Sequence, residues 1–152
     1  MLIEQQVILS KLRLQNANED YIIAKNLLNE GHYKAANNRA YYSMFHAIRA
    51  VLALESKDFK RHAQVIGYFN KEYIHAGHFE PRFFKIIKAA SKSRTNSDYE
   101  DYYVATKEEA DENVSNAKLF LAATESYVAC RMEQEYEPPG SLEPEGENEL
   151  EP

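Results

Sequence analysis

The sequence predicts an all-α protein, an antiparallel bundle of about five helices. Three observations carry that prediction: apolar residues recur at spacings of three and four along most of the 152 residues, no stretch shows the period-two alternation of strands, and the helical segments are joined by short links. The bundle is organised around residues 35–55, AANNRAYYSMFHAIRAVLALE. Set at about 100° per residue, Ala36, Ala40, Tyr41, Met44, Phe45, Ala47, Ile48, Val51 and Leu52 cover roughly half of the helix circumference. A helix so apolar belongs at the centre.

In chain order, residues 10–30 carry Leu14, Ala17, Tyr21, Ala24 and Leu28 on one stripe, and Gly31 supplies a left-handed stop. The second helix runs from near Tyr33 to about Leu54. With so short a link the two must be antiparallel neighbours. Residues 56–60 read as a loop, and residues 61–76 as a third helix with Val65, Ile66, Phe69 and Tyr73 inward, ended by Gly77. Pro81 suits the first turn of a fourth helix, which turns Phe83, Ile86, Ile87 and Ala90 inward and sets Arg82, Lys85, Lys88 and Lys92 in a basic stripe. Residues 93–105, SRTNSDYEDYYVA, are crowded with turn formers and tyrosines and predict an irregular segment. Thr106 and Glu109 then form a capping box for a last helix, with Ala110, Val114, Ala117, Leu121, Thr124 and Val128 on one stripe, ending near Glu133.

A hydrophobic fraction of 44% is enough for one packed domain, expected over residues 1–135. Residues 136–152 hold six Glu and four of the five Pro without a Lys or Arg, and predict a disordered acidic tail. That segment accounts for the net charge of −6, since the body has 18 acidic and 18 basic residues. Within the body, residues 57–94 carry nine basic and three acidic side chains and residues 98–112 seven acidic and one basic, a division that predicts pairing within the chain or across a dimer. The one cysteine, Cys130, excludes an internal disulfide framework. No apolar run approaches the length of a membrane span, and the N-terminus has no cleavage-site pattern, so a soluble, cytoplasmic protein is expected.

The polar side of the central helix is the first candidate site. Asn38, Arg39, Tyr42, His46 and Arg49 share an arc of roughly 100° at helical spacing. Such a row is either a set of snorkelling side chains satisfying one another or the lining of a cleft for a partner or polyanion. The second candidate is Arg94 with Asp98 four residues on, where a charge-assisted pair would fix the segment and Tyr99 and Tyr102 would add hydroxyls and stacking faces. For phosphodiester chemistry Arg94 could be the cation, and only His46 or His62 could supply an imidazole as base. His75 and His78 flank a helix-ending Gly77 without accompanying ligands, so no metal site is expected, and no glycine-rich phosphate loop or cofactor motif is present.

The run Ala36, Asn37, Asn38, Arg39, Ala40, Tyr41, Tyr42, followed by Met44, Phe45, His46, Ala47, then Lys60, Arg61, His62, residues 69–77, and Arg94 with Asp98 and Tyr99, resembles the small HEPN-domain proteins over about residues 10–132. That resemblance implies a dimerising helical bundle, often encoded beside a minimal nucleotidyltransferase in prokaryotic toxin-antitoxin pairs, with ribonuclease activity in many members. It carries Arg94 over as the motif arginine; with His46 as the candidate catalytic imidazole, Asn38, Arg39, Tyr42, Asp98 and Tyr99 are the candidate binding residues. The histidine that follows the motif arginine in the ribonuclease branch is absent, because Arg94 leads into Thr95, Asn96, Ser97, Asp98 and Tyr99. Two functions therefore stand open: a toxin-antitoxin component acting on RNA or nucleotides, and a non-catalytic dimeric module binding a nucleotide or a partner protein. Whether the chain is an enzyme is left open by its residues.

Overall fold

The computed structural model describes residues 1–99 and 101–140, and its elements are α1 Glu4–Asn29, α2 Tyr33–Ala53, α3 His62–Phe69 continued by a π-helical turn Asn70–Ile74, α4 Arg82–Tyr99 and α5 Lys107–Glu135. No strand occurs among the described residues. The predicted all-α bundle is what forms. The expected tail at residues 136–152 is described only at its start, and residues 141–152 lie outside the described residues.

α2 sits in the middle and packs on α1, α3, α4 and α5. Ala36, Ala40, Tyr41, Met44, Ala47, Ile48, Val51 and Leu52 have no exposed surface. Their burial supplies the main driving force, at about 25 cal/mol per Å² of apolar area removed from water. Because the apolar half of α2 is covered within the one chain, it leaves no surface that would require a second copy.

α1 differs from its expected form at both its start and its face. It begins six residues before the predicted position, with Gln6 Oε1 accepting from the Ile3 backbone N–H at 3.0 Å. Its buried face is Val7, Ser10, Arg13, Ala17, Asp20 and Ala24, while Leu14, Tyr21 and Leu28 are only partly buried. The face is rotated from the predicted stripe because small and polar side chains, rather than the larger apolar ones, fill the contact with α2. The Ser10 hydroxyl donates to the Ala50 carbonyl at 2.8 Å, the Arg13 Nη1 to the Arg49 carbonyl at 3.0 Å, and the Ser43 hydroxyl to the Ala17 carbonyl at 2.8 Å. These bonds pair rising positions on α1 with falling positions on α2, so the hairpin is antiparallel as predicted. Gly31 closes α1 at φ +82°, where a side chain would be strained, and the His32 N–H returns to the Leu27 carbonyl at 2.9 Å.

α4 continues to Tyr99, through the first part of the segment expected to be irregular, while residues 101–105 are turn and coil as expected. Arg94, Asp98 and Tyr99 all lie on that helix. Turn-forming composition is overridden by packing, since Ser93 is buried and its hydroxyl donates to Glu109 Oε1 of α5 at 2.7 Å. The Thr106 cap forms as predicted, accepting from the Glu109 N–H at 3.1 Å. The reciprocal half of the box does not form, because the Glu109 carboxylate is engaged by Ser93 and Tyr103. α5 is tied to α2 by a buried bond from Asn113 Nδ2 to Asn37 Oδ1 at 3.0 Å, and to the chain start by the Leu2 N–H on the Glu135 carbonyl at 2.8 Å.

Candidate functional site

Helical spacing sets Asn38, Tyr42 and His46 in one row along α2, and α1 and α4 lie on either side of it. On the α1 side is a cleft of about 450 Å³ lined by Asn16, Glu19, Asp20, Asn38, Arg39, Tyr42 and His46. Asp20, largely buried, is the acid that its basic residues contact: Arg39 Nη1 lies 3.2 Å from Oδ1, and His46 Nε2 lies 3.5 Å from Oδ2. The Asp20 contact alone would favour protonated His46. Burial, aided by Arg49, Arg13 and Arg39, outweighs it and holds His46 below the ordinary histidine value. His46 is therefore neutral at neutral pH, and its buried Nδ1 has no hydrogen-bond partner.

On the α4 side, Arg94 Nη2 donates to the Tyr42 hydroxyl at 3.1 Å, and the guanidinium carbon lies 5.5 Å from the ring centres of both Tyr41 and Tyr42. Arg94 Nε is 3.1 Å from Asp98 Oδ2. The contact is an ion pair and not a directed hydrogen bond, since Nε has no properly aligned acceptor. Asn38 Nδ2 reaches both Asp98 oxygens at 3.3 and 3.4 Å. Asn38 and Tyr42 thus belong to both sides and join them.

A second imidazole enters from α3. His62 stacks on Phe45 with ring centres 4.0 Å apart, and its Nδ1 is 2.8 Å from the Tyr41 hydroxyl. Burial pushes Tyr41 up to about 12 despite the nearby Arg94, so the phenol keeps its proton. Burial, then the charges of Arg94 and Arg49, hold His62 below its usual value. The group therefore offers a cation in Arg94, with most of its five N–H donors uncommitted, beside two neutral imidazoles, of which His46 has an unpartnered ring nitrogen.

Of the residues singled out from sequence, the structure brings together Asn38, Arg39, Tyr42, His46, Arg94 and Asp98. Tyr99 stands apart, 72% exposed and outside the cluster, because it follows Asp98 on a helix and turns away from it. Arg49 turns to Asp58, with Nη2 at 2.8 Å from Oδ2, and so belongs to a loop clamp with Arg13. Sequence reading missed Asn16, Glu19 and Asp20. The available signal was Asp20 itself, an acid spaced three and four from Ala17 and Ala24 on the inner face of α1. Within the one chain, the expected pairing of the basic and acidic segments is limited among the described residues to Arg94 with Asp98: Arg82 pairs with Glu80, and Lys85, Lys88 and Lys92 stay exposed without ion pairs.

Fold and cluster together define a class, a helical bundle with a polar cleft built on its central helix and an arginine–carboxylate pair beside it. The HEPN domain family matches residues 10–127, and the chain belongs to that family. It is 32% identical over 118 residues to a Methanocaldococcus jannaschii protein named "Putative toxin MJ0142", covering 78% of this chain and 80% of that one. A second protein of that organism, "Putative toxin MJ0605", is 32% identical over 108 residues, 71% of this chain and 80% of the relative. A UPF0332 protein of Thermotoga maritima is 28% identical over 105 residues, 69% of this chain and 80% of its own. The crystal structure of TT1696 from Thermus thermophilus shares the fold, with a TM-score of 0.67 at 17% identity over 78% of this chain and 97% of that one. No helix is long and apolar enough to cross a membrane among the described residues.

Proposed function

We propose that this protein is the toxin-type member of a toxin-antitoxin pair and acts on RNA or nucleotides through the joined cleft of α1, α2 and α4. The observation that carries this reading is the Arg94 guanidinium held between Asp98 and the Tyr42 hydroxyl, next to two imidazoles kept neutral by burial. Arg94 would take a phosphate, a contact of about 1.5 to 3 kcal/mol for a charged hydrogen bond. His46 or His62 would take the proton of an attacking hydroxyl, while Asn38 and Tyr42 orient the substrate. The names of the two M. jannaschii relatives support the toxin setting. A homodimer, and a minimal nucleotidyltransferase as antitoxin partner, complete the reading.

A second reading, a binding module without turnover, is favoured by one observation: the position five after Arg94 is Tyr99, exposed and clear of the cluster, rather than an imidazole beside the arginine. Fluorescence anisotropy with a labelled single-stranded oligoribonucleotide, followed by electrophoresis of the same RNA, separates the two. Binding with cleavage that His46→Ala or His62→Ala abolishes supports catalysis; binding without cleavage supports the module. Absence of binding to RNA and to mononucleotides contradicts the first reading and leaves, of the second, only a module for a partner protein.

A further inference from the structure

Tyr41 has no exposed surface, so its hydroxyl has to find a partner inside the protein. That partner is His62 Nδ1, at 2.8 Å. The fold sets the imidazole there: His62 is the first residue of α3, which packs on α2 with Val65, Ile66 and Phe69 buried. Phe45 lies against the ring with the planes 24° apart, and Tyr42 meets it edge-on with ring centres 5.9 Å apart. An imidazole turned over on this platform would present a C–H to the phenol and leave the buried hydroxyl without its partner.

The other ring nitrogen faces outward. Nε2 has no hydrogen bond or ion pair among the described residues and is not buried, so a ligand can reach it. What it offers is decided at Nδ1. If Nδ1 accepts from Tyr41, Nε2 carries the hydrogen of the neutral ring; if Nδ1 donates, Nε2 is a bare lone pair. A phenol O–H is a far stronger donor than a neutral imidazole N–H, and an imidazole lone pair a stronger acceptor than a phenol oxygen. The bond is therefore strongest with Tyr41 donating.

His62 and Arg94 flank the same two rings. The guanidinium carbon lies 5.5 Å from the centres of Tyr41 and Tyr42, and the imidazole centre lies 5.8 and 5.9 Å from them. Resting on the RNA or nucleotide reading above, we propose that Tyr41 is a positioning residue. It holds His62 in the tautomer with the hydrogen on Nε2, so that His62 donates a hydrogen bond to the phosphate taken by Arg94 and does not act as the base. That role then falls to His46. No proton passes through His62; its N–H is a fixed dipole aimed where negative charge gathers.

Nitrogen NMR of the isotopically labelled full chain at about pH 7.5, above the usual histidine range, reads the tautomer directly. A ring nitrogen without a proton resonates far downfield of one that carries it, and the pattern expected for His62 is Nδ1 downfield and Nε2 upfield. Nδ1 upfield, or two averaged signals, would overturn the proposal. In Tyr41→Phe with unchanged helical content the two signals should move toward each other, and an unmoved pattern would show that Tyr41 does not set the tautomer. Binding of the labelled oligoribonucleotide reads the donor role, and does so even where Tyr41→Phe does not fold. His62→Ala should weaken binding about tenfold, and His62→Gln, whose amide N–H stands near the place of Nε2–H, should recover most of that loss. Equal losses in the two variants would overturn the donor role and leave the RNA reading standing. No binding by the unsubstituted protein overturns that reading and the donor role together, while the spectrum still decides what Tyr41 does.

Discussion

The Tyr42 hydroxyl accepts a hydrogen bond from Arg94 Nη2 at 3.1 Å, although the residues are 52 positions apart on different helices. The contact links the cleft on the α1 side to the Arg94 and Asp98 pair on the α4 side. Tyr42→Phe removes the hydroxyl and keeps the ring under the guanidinium. It should cost stability by about 1 kcal/mol, the usual net worth of one such bond, while loosening Arg94. Thermal unfolding and RNA affinity measured on the same variant check both parts, and unchanged affinity would show that Arg94 is positioned without Tyr42.

Stability should depend on pH through the two histidines. His46 and His62 are held below the ordinary value near 6.5 in the fold, so the unfolded chain binds more protons below that pH. The stabilisation is fully present above about pH 6.5 and is lost as pH falls through the lowered folded-state values. Thermal midpoints followed from about pH 7.5 down to pH 5 should fall, and His62→Gln should flatten part of the slope. Because Arg94 helps to hold His62 down, the His62 ring titration seen by NMR should move upward in Arg94→Ala.

Much of the fold is legible in the sequence, and the exceptions share a cause. The α2 pattern, Gly31, Thr106 and the α5 stripe predict their elements because each signal is local. Residues 93–99 depart from the expected irregular segment because the bond from Ser93 to Glu109 comes from a distant helix and outweighs local turn chemistry. The inner face of α1 departs from its apolar stripe because Ser10, Arg13 and Asp20 are buried through bonds to α2, which no hydropathy pattern marks. In the candidate site the α2 row is legible as a row. Its α1 wall is not, and neither is the stacking of His62 on Phe45.

The Asn113 and Asn37 pair, buried between α5 and α2, offers a sharp stability test. Asn113→Ala leaves the Asn37 carbonyl oxygen buried without its donor, at a cost of about 1 to 3 kcal/mol. Chemical denaturation should show the midpoint falling with an unchanged slope. A change below about 0.5 kcal/mol would mean that the pair is reached by solvent.

The helix cap predicts a smaller effect. Thr106→Ala removes the acceptor for the Glu109 N–H and should cost about 1 kcal/mol, whereas Thr106→Asp should be close to neutral. Equal losses in both variants would place the role of Thr106 elsewhere than the cap.

Removal of residues 141–152 should leave the thermal midpoint unchanged, since their Pro, Gly and alternating Glu provide few groups for a core. Differential scanning calorimetry of the shortened chain checks this. A large drop would mean that the acidic segment docks, with Lys85, Lys88 and Lys92, which have no ion pair among the described residues, as the cations available to it.

The central claim is that Arg94 serves a ligand and not only the fold. Its most direct test is growth arrest on induced expression of the full chain, compared with Arg94→Ala, with helical content of both proteins measured by circular dichroism. The account predicts arrest by the unsubstituted protein and none by Arg94→Ala, with the two helical signals equal. Arrest by a folded Arg94→Ala protein at the unsubstituted level would contradict it.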